Sequence, residues 1–175
     1  MNKLMIINTI AAIGCLLLLV SNSLKKEKAM MTGQMISAVF LAAADFLAGS
    51  ITGMSISVLS IGRNVLCMKD KLNKAQKAVI ITLSVLIGIF ANHNGLIGLL
   101  PSAANIINTA FMKNELRRLK LIVLLTSVLW LMHDLYMGVY VTCVLDVISI
   151  VTSAIFLIRI AKNPVNGENK ETIAA

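Results

Sequence analysis

Apolar residues run almost unbroken through seven stretches of the chain, at about 4–20, 30–48, 50–68, 77–91, 95–112, 119–135 and 138–160. A helix needs roughly 20 apolar residues to cross the hydrocarbon core of a bilayer. Seven such stretches therefore predict seven membrane-spanning helices, an all-α polytopic membrane protein with short loops between its helices. The first stretch imitates a signal peptide, with Lys3 ahead of it and the small residues Ser21 and Ser23 behind it. It is longer than a usual signal core and nothing of secreted character follows, so it is read as helix one.

Polar positions between the stretches fall into two alternating kinds. The turns at Gly49–Gly53, Asn92–Gly95 and around Gly138 carry no Lys or Arg. The other connections are basic, with Lys25, Lys26 and Lys28, then Lys69, Lys71, Lys74 and Lys77, then Lys113, Arg117, Arg118 and Lys120. Arg159, Lys162 and Lys170 follow the last stretch, which puts fourteen of the sixteen basic residues on one side of a seven-helix alternation. Lys3 is on the other side and Arg63 within a helix. Lys and Arg beside helix ends are retained in the cytoplasm, so the N-terminus is expected outside and the C-terminus inside.

The pattern also repeats at a shift of 89 residues. Val39, Asp45 and Gly49 then fall on Val128, Asp134 and Gly138, and Val58, Ser60 and Ile61 on Val147, Ser149 and Ile150. The basic connections 25–28 and 113–120 coincide at the same offset. The expected organisation is a single membrane domain over 1–175: repeat one at 4–68, a linker helix at 77–91, repeat two at 95–160 and a cytoplasmic tail at 161–175. With one helix between them, both three-helix repeats run in the same direction, a known transporter arrangement. This 3+1+3 order is similar to the topology of the SWEET and PQ-loop proteins.

Residue by residue, the second repeat resembles the YgjV family of bacterial inner-membrane proteins. The resemblance is carried by Gly95-Leu-Ile-Gly-Leu-Leu-Pro101, Thr109, the basic run 113–120, Trp130-Leu-Met-His133-Asp134, Gly138, Asp146 and Arg159. In the first repeat Gly49 and Ser60-Ile-Gly-Arg63 stand at the corresponding spacing. It covers nearly all of 10–162 and departs from the usual pattern at Ser60 and Ser153, where asparagine is common. It implies a polytopic protein of the bacterial inner membrane.

Composition excludes a soluble domain: 58% of the residues are hydrophobic, 14% are charged and the mean hydropathy is +0.86, against about a quarter charged in soluble domains. The net charge of +8 is absorbed by the topology signal, and no aromatic-interleaved basic patch points to nucleic acid. Cys15, Cys67 and Cys143 lie inside apolar runs, odd in number and without metal-ligand spacing. No nucleophile–base–acid constellation, phosphate loop or metal-ligand set is legible, so neither an enzyme nor a cofactor is expected. The expected partners are the lipid bilayer and a small solute, with self-association left open.

Ionisable groups within a bilayer are functional candidates because burying them is costly. Asp146, about eight residues into helix seven, is the foremost, and Arg63 is the deep basic residue that a solute or proton site would use as its partner. The plainer alternative is a static ion pair or an arginine snorkelling to the interface. Small and hydroxylic residues, Ser60 in helix three with Ser149 and Ser153 in helix seven, serve either close helix packing or a polar cavity. Asn105 and Asn108 in helix five favour the cavity, because amides facing lipid would stay unsatisfied. Trp130 is either an interfacial anchor or a stacking wall. Asp45 and Asp134 close helices two and six at the turn end, where they either solvate helix ends or flank a gate together with His133, with Pro101 as a hinge.

The resulting expectation is a small-solute transporter, facilitated or ion-coupled, working by alternating access around a midplane site. The competing expectation is a non-transporting receptor, scaffold or subunit of a complex.

Overall fold

The computed structural model describes residues 2–22, 27–69, 71–111 and 116–162. The expected tail lies outside the described residues from 163 onward, as do Lys25, Lys26, Lys113 and Lys170. Among the described residues there are seven α-helices: α1 (Lys3–Asn22), α2 (Glu27–Ala48), α3 (Ile51–Met68), α4 (Lys74–Phe90), α5 (Leu100–Phe111), α6 (Leu116–Met137) and α7 (Tyr140–Lys162).

Local chemistry accounts for the helix ends. At the α2–α3 turn Gly49 has φ +89°, a left-handed conformation that glycine adopts without steric cost. The amide of Ser50 donates to the carbonyl of Asp45 at 2.8 Å and that of Gly49 to Phe46 at 3.1 Å, the paired bonds of a Schellman helix end. The α6–α7 turn repeats this device, with Gly138 at φ +75° and the Val139 amide donating to the Asp134 carbonyl at 3.0 Å. Ser50 then caps α3 by accepting from the amide of Gly53, and Asn73 with Gln76 forms a capping box at the start of α4.

The fifth helix departs from expectation. It opens at Leu100 rather than near Gly95, after a single 3-10 turn at Ile97–Leu99. Asn92 folds the preceding turn on itself, its side-chain amide donating to the Gly95 carbonyl at 2.7 Å. A methyl group at Gly98 would collide with the Asn92 carbonyl oxygen, so only glycine admits this close approach. Pro101 consequently occupies the first turn of α5, where no intrahelical partner exists for an N–H. In the first turn of α5 its missing N–H costs no bond within that helix.

Six helices close a ring: α1 packs on α2, α2 on α3, α3 on α5, α5 on α6, α6 on α7 and α7 on α1. α4 packs on α3 and α5. The outward surface is apolar, with Leu16, Val20, Phe46, Val58 and Phe90 all exposed, a surface that lipid rather than water solvates. Tyr136 and Tyr140 are exposed at one end of the bundle, where aromatic residues mark a membrane boundary. Three helical segments, Lys3–Ser21, Ile51–Met68 and Tyr140–Arg159, are long and apolar enough to cross a membrane on their own. Shorter apolar helical stretches occupy Thr32–Ala48, Ile97–Phe111 and Leu121–Met137. Close contacts tie α1 to α2: the Ser37 hydroxyl donates to the Gly14 carbonyl at 2.7 Å, and Gly33 abuts Ser21.

Candidate functional site

Between α1–α3 on one side and α6–α7 on the other lies a cavity of about 190 Å³. Its wall contains three carboxylates, Asp45 on α2, Asp134 on α6 and Asp146 on α7, together with Ser57, Thr142, Ser149 and Trp130. Leu18, Leu41, Ala44, Val139 and Leu145 complete it. Asp146 lies about 9 Å along α7 from its start, at 1.5 Å per residue. Its Oδ2 is enclosed and has no hydrogen-bond partner.

Helix ends position these acids. Asp45 and Asp134 each stand four residues before a turn glycine, and both are buried. Their carbonyls are committed to the Schellman bonds, which fixes the last turn of α2 and of α6. Beside the cavity His133 is fully buried. Its Nδ1 lies 2.8 Å from Asp134 Oδ1 and its Nε2 lies 2.8 Å from Ser50 Oγ. An ionised carboxylate only accepts, so Nδ1 carries the proton; with the ring neutral, Ser50 Oγ, already accepting from Gly53 N–H at 3.0 Å, donates to Nε2. Trp130 meets the imidazole edge-to-face, with ring centroids 5.6 Å apart and planes at 89°.

This hydrogen-bond order, serine to histidine to aspartate, is a constellation that the sequence did not disclose. It is arranged as a tie rather than as a nucleophile. Ser50 is fully buried, is occupied as the cap of α3, and does not line the cavity, so no substrate carbonyl could approach its oxygen. Asp45, His133 and Asp134 also offer atoms within 4.8 Å of one another, a spacing that a metal ion could use. Both ring nitrogens of His133 are already engaged, however, and a metal would have to displace one of those bonds.

A second polar cluster sits between α3, α4 and α5. Arg63 Nη1 donates to Asn105 Oδ1 at 2.8 Å, and the Ser60 hydroxyl donates to the same oxygen at 3.0 Å. Asn105 Nδ2 donates to Ser84 Oγ at 2.9 Å, and Ser84 donates to the Ile80 carbonyl at 2.8 Å. Nε and Nη2 of Arg63 reach Asn64 Oδ1, each at 3.4 Å. The Ser102 and Thr109 hydroxyls, on the same buried face of α5, have no hydrogen-bond partner.

The residues expected around one site are thus divided. Asp146, Ser149 and Trp130 line the cavity. Ser60, Arg63 and Asn105 belong to the second cluster, so the expected pairing of Arg63 with Asp146 is not formed: the guanidinium is held by Asn105 and Asn64 instead. Ser153 is buried on α7 and Asn108 half-buried on α5, outside the cavity wall. Of the expected gate, Asp45 and Asp134 are themselves cavity wall, His133 stands against it, and Pro101 is buried on α5, away from it. Ser50, Asn64 and Ser84 were not singled out. Ser50 had a signal, since a serine after a helix-ending glycine and before an apolar run marks a helix start; Asn64 and Ser84 had none, because their roles arise from partners on other helices. Cys15, Cys67 and Cys143 are free and buried.

A family model described as a bacterial inner membrane protein, Imp-YgjV, matches residues 5–164. No curated protein and no solved structure matches the chain.

Proposed function

Because the chain belongs to the Imp-YgjV family of bacterial inner membrane proteins, we propose that it is a small-solute transporter built from two parallel three-helix repeats. In this reading the seven helices all cross the membrane, with the Lys3 end outside and the end of α7 in the cytoplasm. The alternation of basic and uncharged connections supports the orientation.

The helix packing supports the repeat. Exchanging α1 with α5, α2 with α6 and α3 with α7 maps the ring of packed helices onto itself: the α1–α7 seam becomes the α5–α3 seam. The Schellman turns at Gly49 and Gly138 exchange in the same way, and α4 falls outside the exchange as the linker.

One observation carries the function. Half of the cavity wall is made of repeat-related residues: Asp45 and Asp134, Leu41 and Trp130, and Ser57 and Asp146 are all mates at the 89-residue offset, and all line it. A cavity on the axis between two like bundles is where rocking exposes a site alternately to either face. At the glycine-turn end the halves are tied by Ser50 to His133 and by Asn8. The Asn8 side chain donates to the Gly138 carbonyl and accepts from the Val141 amide, both at 3.2 Å. Releasing these ties would open that end. Movement of solute, facilitated or coupled to an ion, is favoured over catalysis because Ser50 is sealed from the cavity.

The test is a thermal-shift screen of purified protein against small metabolites, followed by uptake of each hit into proteoliposomes. Uptake that Ser57→Trp abolishes, by filling the cavity, is the expected result. Hits that bind but are never taken up would instead establish the receptor, scaffold or complex-subunit reading.

A further inference from the structure

We infer that the cavity takes a small organic cation, an ammonium compound of about six to eight non-hydrogen atoms. This inference rests on the cavity being a solute site, as proposed above, and names the class of solute.

The first ground is uncompensated charge. Three carboxylates share one wall, and among the described residues no Lys or Arg lines it. Arg63, the deep basic residue, is spent on Asn105 and Asn64. His133 is hydrogen-bonded to Asp134 and does not line the cavity. Charges buried away from water need a partner, and Asp146 Oδ2 is enclosed with none. Either a proton or a bound cation supplies the missing positive charge, and only a bound cation would also use the apolar and aromatic wall.

The second ground separates an organic cation from a metal ion. A metal needs several oxygen or nitrogen ligands converging on one point, whereas the nitrogen donor at hand, His133, has both ring positions bonded to Ser50 and Asp134. Leu18, Leu41 and Leu145 offer a metal nothing, yet they would cover the carbon skeleton of an amine. Trp130 on the same wall supplies the ring to which ammonium groups are attracted. At about 30 Å³ per water, the cavity of about 190 Å³ holds the equivalent of about six waters, which sets the size.

The experiment compares charge at constant shape. Choline and putrescine are titrated into the purified full-length protein beside their uncharged counterparts, 3,3-dimethyl-1-butanol and 1,4-butanediol, by calorimetry and thermal shift. The ammonium compounds should bind at least tenfold more tightly. Asp146→Asn should abolish the preference and Asp146→Glu should retain part of it. Equal binding of the neutral compounds, no binding of either ammonium compound, or a preference untouched by Asp146→Asn would overturn the inference. Should Asp146→Asn fail to fold, the comparison on the unmodified protein decides alone. Ammonium binding without uptake into proteoliposomes would sink transport while leaving the cation site standing. Uptake of a neutral or anionic solute, blocked by Ser57→Trp, would sustain transport and refute the cation.

Discussion

Ser50 and His133 lie 83 residues apart in sequence, yet Ser50 Oγ stands 2.8 Å from His133 Nε2. The bond joins the α2–α3 turn to α6 and so crosses between the two halves of the ring. It is enclosed, with both residues fully buried, and it is continued to Asp134 by the other ring nitrogen.

Such a tie makes the two side chains energetically dependent. Ser50→Ala should cost about 1–2 kcal/mol, as a lost helix cap, and His133→Ala more, because it strands Asp134 and Ser50 together. The two losses should fall short of additive in the double variant by about 0.5–3 kcal/mol. Unfolding of the purified variants by denaturant measures the coupling; strict additivity would mean that the bond ties nothing.

Arg63 leans on two asparagine amides, of which Asn105 gives the shorter bond. Asn105→Leu removes the acceptor of Arg63 and Ser60 and the donor to Ser84 in one step, leaving a buried cation short of partners. A loss of about 2–3 kcal/mol is expected when a charged donor loses a neutral partner of this kind. Adding Arg63→Met should recover part of that loss, because an apolar side chain asks for no partner. A double variant less stable than Asn105→Leu alone would contradict this account.

Glycine substitutions should divide by geometry. Gly49→Ala and Gly138→Ala, at φ +89° and +75°, should each cost about 1–2 kcal/mol because an alanine resists the left-handed region. Gly98→Ala should be worse tolerated still, since its methyl meets Asn92. Gly62→Ala faces open space in mid-helix and should stabilise by about 0.5–1 kcal/mol. Melting temperatures of the four variants give the order directly.

Orientation can be read chemically. Lys71 and His93 are exposed at opposite ends of α4, and the three native cysteines are buried, so background labelling will be low. A membrane-impermeant maleimide added to intact spheroplasts should label His93→Cys and spare Lys71→Cys until the membrane is opened. The reverse pattern would invert the proposed topology.

Much of the fold was legible in one dimension. Stretch length and apolarity marked all seven helices, with ends within about three residues except at the start of α5, because the demand for an apolar span is local and additive along the chain. Turn glycines and the 89-residue offset were equally local. The site was legible only in part. Asp146, Trp130 and Ser149 were singled out as polar or aromatic residues in apolar helices, and they do line one cavity. Which helix faces which was not written in any local pattern: Ser60 and Arg63 of α3 and Asn105 of α5 were equally free, on sequence grounds, to face Asp146. Packing of α3 against α5 and of α7 against α1 decided otherwise. It committed Arg63 to Asn105 and left Asp146 on the cavity wall with its Oδ2 enclosed and without a partner. It also gave Ser50 a histidine 83 residues away, because a buried hydroxyl takes its partner from whichever helix tertiary packing sets beside it.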